Sequence, residues 1–342
     1  MDDMSKEQRE MVVRMKQELS KEFEEVPELA TTWHILRFLR ARDFNYEKSK
    51  SMLKNYFNFR KQKDYKRIAE IDQTSERAQI MRQYYTSGHY GVDYEGRIVL
   101  IERVGGYDPQ NLFKHFTLED VEDHLIQIHE RLMYIEMPIS SRMFNERIDN
   151  TFLVIDLKNV NVIQLFKSKF KSFVQFGTKI AQDYYPELLS KSVFINVPVI
   201  FKAIWAIISM WMDKKTVSKF DFESGNGQKT LSKYLNVDLL PVEIGGKNPV
   251  KLSEGFGPWK EALHQSYQDK TFFLDDRQPE YDYYYTKEER RKMNFRSSLL
   301  PSIDELTRSH AFEEDVFKSA PNIGEIKVSG FRVSLKRSME TN

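Results

Sequence analysis

Cations and hydroxyl groups follow directly after the most apolar segment of the chain. Asp213–Lys219 (DKKTVSK) holds three lysines, one threonine and one serine within seven residues. Ammonium groups and hydroxyls are side chains that bind phosphate oxygens. Upstream, residues 157–179 contain five lysines and no acidic residue. This local charge predicts contact with a phosphate or with an anionic membrane surface, near which each lysine contributes about 1 kcal/mol.

No catalytic or metal-binding constellation is found beside these cations. The chain has no cysteine, which excludes disulfides, thiolate nucleophiles and Cys-ligated metal centres. His124 and His129 are five residues apart on a predicted helix and would face different sides of it. Asp156 ends a predicted strand without an obvious partner base or nucleophile. The sequence therefore predicts a non-enzymatic protein, with no catalytic residues, no metal and no cofactor.

The composition is that of an ordinary globular protein. Of 342 residues, 40% are hydrophobic and 30% are charged, and the formal net charge is +1. This balance gives no reason to expect a nucleic-acid partner. The first ten residues lack the apolar region of a secretory signal, so we expect a cytoplasmic location.

The apolar segment is Val193–Met212 (VFINVPVIFKAIWAIISMWM). It has about the length of a membrane span, but Asn196, Pro198 and Lys202 interrupt it. We interpret residues 193–197 as a buried strand and residues 199–212 as a helix that is apolar nearly all round. Such a helix is either fully buried or in contact with lipid.

The hydrophobic pattern predicts the elements that position these residues. Two helices are predicted to begin near Thr31 and Tyr46, after a helical N-terminal segment. Further along, the alternation of strands and helices predicts an α/β sheet with crossover helices. The predicted strands cover residues 98–104, 151–157, 192–197 and 216–221, and the helices cover residues 117–137, 162–184 and 199–212. The residues from about 270 to 342 are predicted to be a partly disordered tail.

Five motifs, in order, resemble the Sec14-like, or CRAL-TRIO, family of lipid-binding proteins. The motifs are Leu36–Phe44 (LRFLRARDF), Tyr184–Glu187 (YYPE), Phe194–Pro198 (FINVP), Thr216–Lys219 (TVSK) and Leu240–Gly246 (LPVEIGG). The resemblance implies a CRAL-TRIO fold, with a small helical lobe before a mixed β-sheet lobe that encloses one lipid. It implies an N-terminal extension (1–30), an N-terminal helical lobe (31–75), a lipid-binding domain (76–247) and a C-terminal extension (248–342).

The resemblance also implies a lipid site. In phosphatidylinositol-binding members, the headgroup phosphate is met by residues that match Arg42, Thr216 and Lys219, with Glu187 nearby. The helix 199–212 resembles the gate that admits lipid, and its predicted gate or membrane contacts are Phe201, Ile204, Trp205, Ile208 and Trp211. Thr151 and Leu153 match the two hydroxyl positions of the family's choline pocket, so one hydroxyl is lost. Leu188 stands where phosphatidylinositol binders commonly carry arginine.

The implied function is lipid binding and transfer, with phosphatidylinositol as the first candidate ligand. The expected protein is a monomer that meets membranes transiently and peripherally. Leu188 favours an alternative carrier of a tocopherol-, retinoid- or squalene-like ligand. A further alternative is a lipid-sensing scaffold that recruits a protein partner through its C-terminal tail.

Overall fold

The N-terminal part of the protein is helical. The computed structural model describes residues 4–144, 146–161, 168–212, 214–272, 326–328 and 331–333. The two predicted helix starts are confirmed, because the Thr31 and Asn45 side chains accept hydrogen bonds from the amides of His34 and Lys48, both at 3.1 Å. The helices are α1 (Lys6–Glu18), α2 (Ser20–Glu25), α3 (Thr32–Arg40), α4 (Tyr46–Gln62), α5 (Tyr65–Ala69) and α6 (Glu76–Tyr84).

A mixed sheet with flanking helices follows. Its strands are β1 (Ser87–Val92), β2 (Ile98–Arg103), β3 (Thr151–Asp156), β4 (Leu189–Ile195) and β5 (Phe220–Phe222). They lie side by side in chain order, with β1 antiparallel to β2 and the other pairs parallel. The later helices are α7 (Pro109–His115), α8 (Leu118–Arg131), α9 (Met137–Phe144), α10 (Ser168–Asp183), α11 (Phe201–Ile208), α12 (Lys214–Val217), α13 (Gln228–Leu231) and α14 (Lys260–Gln268).

The two faces of the sheet are packed differently. On one face, Phe152 and Val154 of the central strand are completely buried against the segment that follows β5. On the other face, Leu100 and Leu153 lie opposite each other on β2 and β3 and are only half-buried, although helices cover this face as well. Because its central positions keep some accessible surface, this face, which carries Leu100 and Leu153, is the more loosely packed one.

Several predicted boundaries are wrong. The predicted strand at residues 216–221 begins later, because residues 214–217 form the helical turn α12 and β5 starts at Phe220. The helix predicted to end near Met137 continues through the wide turn 132–136 into α9, which contains Pro138. The start of the helix predicted at residues 162–184 lies outside the described residues.

The tail is described only in part. Ile326–Val328 (β6) and Phe331–Val333 (β7) form an antiparallel pair, and the rest of the predicted tail beyond Phe272 lies outside the described residues. Within the described ranges, none of the helices combines the length and the hydropathy that crossing a membrane requires.

Candidate functional site: a cation-lined turn and the helix beside it

Three cationic side chains donate hydrogen bonds to the YYPE turn and the residues directly after it. The Arg37 guanidinium, buried on α3, donates to the carbonyl of Pro186 at 3.4 Å and to that of Asp149 at 2.5 Å. Lys215 donates to the Glu187 carboxylate at 3.0 Å, and the Lys219 ammonium donates to the carbonyl of Leu189. The short helix α12 and the end of α3 therefore both bring positive charge to residues 186–189, where β4 begins.

Two backbone bends shape this region. Glu187 has a φ of 60°, in the left-handed region that non-glycine residues rarely adopt. Asp43 and Phe44, directly after Arg42, have φ values of 49° and 58°. Such backbone strain is found at binding and catalytic sites, where the surrounding structure maintains it. Here it lies at Glu187 itself and directly after Arg42, two of the residues predicted to bind a headgroup.

Arg42 lies at the edge of a surface groove of about 810 Å³. The groove runs between α4 and the end of α10, and Tyr184, the first residue of the YYPE turn, also lines it. The Tyr184 ring stacks on Phe59 with 3.7 Å between ring centroids. Arg42 itself donates to the neighbouring carbonyl of Ala41 at 2.9 Å. The structure thus brings Glu187 and Lys219 to one turn, with the half-buried Thr216 on the same short helix as Lys215.

Three of the predicted gate contacts, Phe201, Trp205 and Ile208, face the protein interior from α11. Phe201 is buried, and Trp205 packs against Phe194 and Phe220, with centroid separations of 5.5 and 4.9 Å. Ile208 joins the same apolar cluster. The side chains of Ile204 and Trp211 lie outside the described part of the chain.

The outward face of this region carries different apolar residues. Val199 is 95% exposed, Met210 is 73% exposed and Ile200 is 53% exposed, and Ile207 is exposed as well. The sequence did not separate these positions from the inward ones, since the helix is apolar on all sides. Exposed apolar patches next to charged residues mark surfaces that meet a partner or a membrane.

The two predicted pocket residues lie on the loosely packed sheet face. Leu153 is half-buried beside Leu100. The Thr151 hydroxyl is buried and donates to the carbonyl of Leu188 at 3.0 Å, so it already has a partner within the fold.

Acidic and imidazole groups that the sequence did not single out lie on the same face of the sheet as Leu100 and Leu153. Glu102 is one of them, and burial raises its carboxyl pKa. His89 is the other, and its Nδ1 lies 2.7 Å from the Glu136 carboxylate.

The chain belongs to the CRAL/TRIO, or Sec14-like, family. The CRAL/TRIO domain matches residues 82–246, and the CRAL/TRIO N-terminal domain matches residues 7–55. Both the predicted resemblance and the predicted α/β fold are confirmed.

The similar proteins have names that refer to Sec14 and to lipid transfer. The SEC14 cytosolic factor of Kluyveromyces lactis is 31% identical over 66% of this chain and 76% of its own length. The phosphatidylinositol/phosphatidylcholine transfer protein SFH7 of Arabidopsis thaliana is 32% identical over 66% of this chain and 42% of its own length. The crystal structure of Sfh5 has a TM-score of 0.59 and 17% identity, and it covers 79% of this chain and all of its own. This last likeness concerns the fold alone.

Proposed function

We propose that this protein binds one phospholipid beneath α11 and exchanges it with membranes, with phosphatidylinositol as the first candidate ligand. The observation that carries the proposal is the unequal packing of the sheet, because Leu100 and Leu153 keep accessible surface under covering helices. Apolar chains that fill such a space are stabilised by about 0.8 kcal/mol per buried CH₂ group. Exchange replaces bilayer contacts with pocket contacts, and it requires no covalent chemistry.

The headgroup would bind at the cation-lined turn. Lys219 would exchange its backbone carbonyl partner for a phosphate oxygen, and Thr216 would add a hydroxyl. The Glu187 carboxylate accepts a hydrogen bond from Lys215 in this structure. In the lipid complex it would accept one from an inositol hydroxyl or orient that lysine. Arg42 would approach from the groove beside Tyr184. The names of the similar transfer proteins support phosphatidylinositol and phosphatidylcholine as the lipids to test.

Membrane docking would use the outward face of α11 and its neighbours. Val199, Ile200 and Met210 offer exposed apolar surface, and the exposed Lys214 and Lys215 follow directly. Apolar insertion combined with basic charge is what binding to an anionic bilayer needs. A cytosolic protein that meets membranes peripherally is therefore part of the proposal.

The headgroup assignment is tested with the double variant Arg42→Ala/Lys219→Ala. Loss of two phosphate-binding cations should lower phosphatidylinositol loading from vesicles about ten-fold or more. The matched control is Lys229→Ala/Lys233→Ala, which removes the same charge from exposed positions near the opposite face of the sheet. Unchanged loading in the first variant, with an unchanged melting temperature, would refute the headgroup site.

A second candidate is a carrier of an uncharged lipid. Leu188 is buried in the main hydrophobic cluster, so this position supplies no cation to the turn. Leu100 and Leu153 likewise make the centre of the loosely packed face apolar. Loading with a sterol, an isoprenoid or a retinoid in preference to phosphatidylinositol would favour this candidate and assign the cations of the turn to membrane docking.

A further inference from the structure

Ser192 is a fully buried serine whose hydroxyl has no hydrogen-bond partner among the described residues. The other buried serine and threonine hydroxyls of the described residues are paired. Ser140 donates to the carbonyl of Gly96 at 2.5 Å, Ser141 to that of Met137 at 2.7 Å, and Thr151 to that of Leu188 at 3.0 Å. Burying a hydroxyl without a partner is unfavourable, so an unpaired one in a native fold requires an explanation.

The position of Ser192 in the sheet supplies that explanation. In the parallel register it lies opposite Leu153 on β3 and opposite Phe220 on β5. Its neighbours along β4, Val193 and Ile195, belong to the tightly packed face, so Ser192 belongs to the loosely packed one. Leu153 and Phe220 are part of the apolar cluster against which Trp205 packs. The hydroxyl therefore lies in the floor that α11 covers.

We propose that Ser192 contacts the bound ligand and donates a hydrogen bond to an acyl ester carbonyl of the lipid. This inference rests on the proposed function, since it assumes that lipid occupies the space beneath α11. The two side chains beside Ser192, Leu153 and Phe220, carry no polar atoms. A lone donor among hydrocarbon side chains matches an acceptor close to acyl hydrocarbon, and in a phospholipid the ester carbonyl oxygens are the strong acceptors nearest to the acyl chains. When α11 moves, the incoming carbonyl gives the hydroxyl the partner that it lacks in the closed structure.

The test compares two lipids that differ only in their two acyl carbonyl oxygens. The full chain is incubated with vesicles that contain equal amounts of diester and diether phosphatidylinositol, and the bound species are counted by native mass spectrometry. The wild-type protein should select the diester about three- to ten-fold, the effect of one neutral hydrogen bond. Ser192→Ala should bring this ratio to about one. A wild-type protein without the preference, or a variant that keeps it, would overturn the proposal.

A second experiment tests whether the partner of Ser192 is the hydroxyl of a long-chain alcohol rather than an ester carbonyl. If the wild-type protein instead selects a long-chain alcohol over the matching hydrocarbon, and Ser192→Ala removes that selection alone, the ester assignment is wrong. If the wild-type protein takes up none of these lipids, the proposed function itself fails. If the wild-type protein takes up phosphatidylinositol but shows no preference for the diester, the Ser192 proposal fails and the proposed function stands.

Ser140→Ala is the matched control, since it removes a buried hydroxyl that has a partner within the fold. It should lower the melting temperature and leave the diester ratio unchanged. Ser192→Ala should leave the melting temperature of the lipid-free protein unchanged or raise it, because no intramolecular hydrogen bond is lost. A fall as large as that of the control would show that Ser192 has a structural partner and would overturn the proposal.

Discussion

At the scale of single residues, burial determines the protonation of three imidazoles, those of His34, His124 and His129. His34 lies between the rings of Phe38 and Tyr56, with centroid separations of 5.2 and 5.4 Å. Neither of its ring nitrogens has a hydrogen-bond partner in the described part of the chain. Burial lowers the pKa of His34 to about 3, and it lowers those of His124 and His129 to about 4. These side chains are therefore neutral in the folded protein at neutral pH.

This burial makes the folded state sensitive to acid. The variant His34→Leu measures how much of the stability lost at low pH comes from His34. Below about pH 6.5 an unfolded histidine binds a proton that folded His34 does not bind, so stability falls as the pH falls. At pH 5 the loss from His34 should be about 2 kcal/mol relative to pH 7. The variant should lose correspondingly less between these pH values, as measured by urea unfolding. An equal loss in wild type and variant would contradict a depressed pKa.

Residue types alone could predict part of the candidate site. The lysines after the apolar helix were visible in the sequence, and two of them reach the turn that holds Glu187. Thr151 was predicted to face the pocket, but its hydroxyl is paired with a backbone carbonyl. Ser192 was not singled out, because only the strand register shows that it lies opposite Leu153. Partners across a sheet are set by register, and one chain segment by itself does not reveal it.

At the scale of elements, α11 separates an inward apolar face from an outward one. Phe201, Trp205 and Ile208 pack onto the sheet, whereas Val199 and Met210, just beyond its two ends, are exposed. Hydrophobic periodicity could not distinguish these faces, because the sequence is apolar at nearly every position. The packing of Phe194, Phe220 and Phe222 against Trp205 decides which side is covered.

The outward face should be needed for membrane contact but not for folding. Val199→Asp/Met210→Asp should reduce binding to anionic vesicles about ten-fold or more, since it replaces apolar surface with negative charge. The melting temperature should change little, because both side chains are exposed. Vesicle sedimentation measures the binding, and Val13→Asp, at an exposed apolar position on α1, is the control. Full vesicle binding by the double variant would exclude this face as the docking surface.

Elements with strong patterns were predicted, and weakly patterned ones were not. Strand β3 (TFLVID) has a continuous apolar run, and its predicted range agrees to within one residue. Strand β1 (SGHYGV) was missed because two glycines and a histidine hide its pattern, and it forms only as the antiparallel edge of the sheet. The turn α12 lies in a segment whose β-branched residues favoured a strand, and tertiary context outweighed that propensity.

At the scale of the whole molecule, the helical and sheet parts share one core. The main hydrophobic cluster extends from Val12 to Phe272, across the boundaries predicted at residues 75 and 247. A buried polar network joins the two parts: Arg60 of α4 donates to Glu130 of α8 at 2.9 and 3.0 Å, and Tyr185 of the YYPE turn donates to the same carboxylate at 2.9 Å. The second tyrosine of that motif therefore holds the turn against the helices.

The predicted division into domains stays a prediction, as does the scaffold alternative, because most of the tail lies outside the described residues. Residues 248–272 do pack on the core, where Phe256 and Trp259 are almost completely buried. Any variant that shortens the C-terminus should therefore retain the chain through Phe272.

Native mass spectrometry of the purified full chain, followed by extraction and identification of the bound molecule, tests the central claim most directly. We predict a one-to-one complex with a phospholipid, and phosphatidylinositol as the main species when the protein is exposed to mixed vesicles. That complex should be lost from Arg42→Ala/Lys219→Ala and kept by Lys229→Ala/Lys233→Ala. A protein that stays free of lipid after exposure to such vesicles, or that takes up only uncharged lipids, would contradict the account.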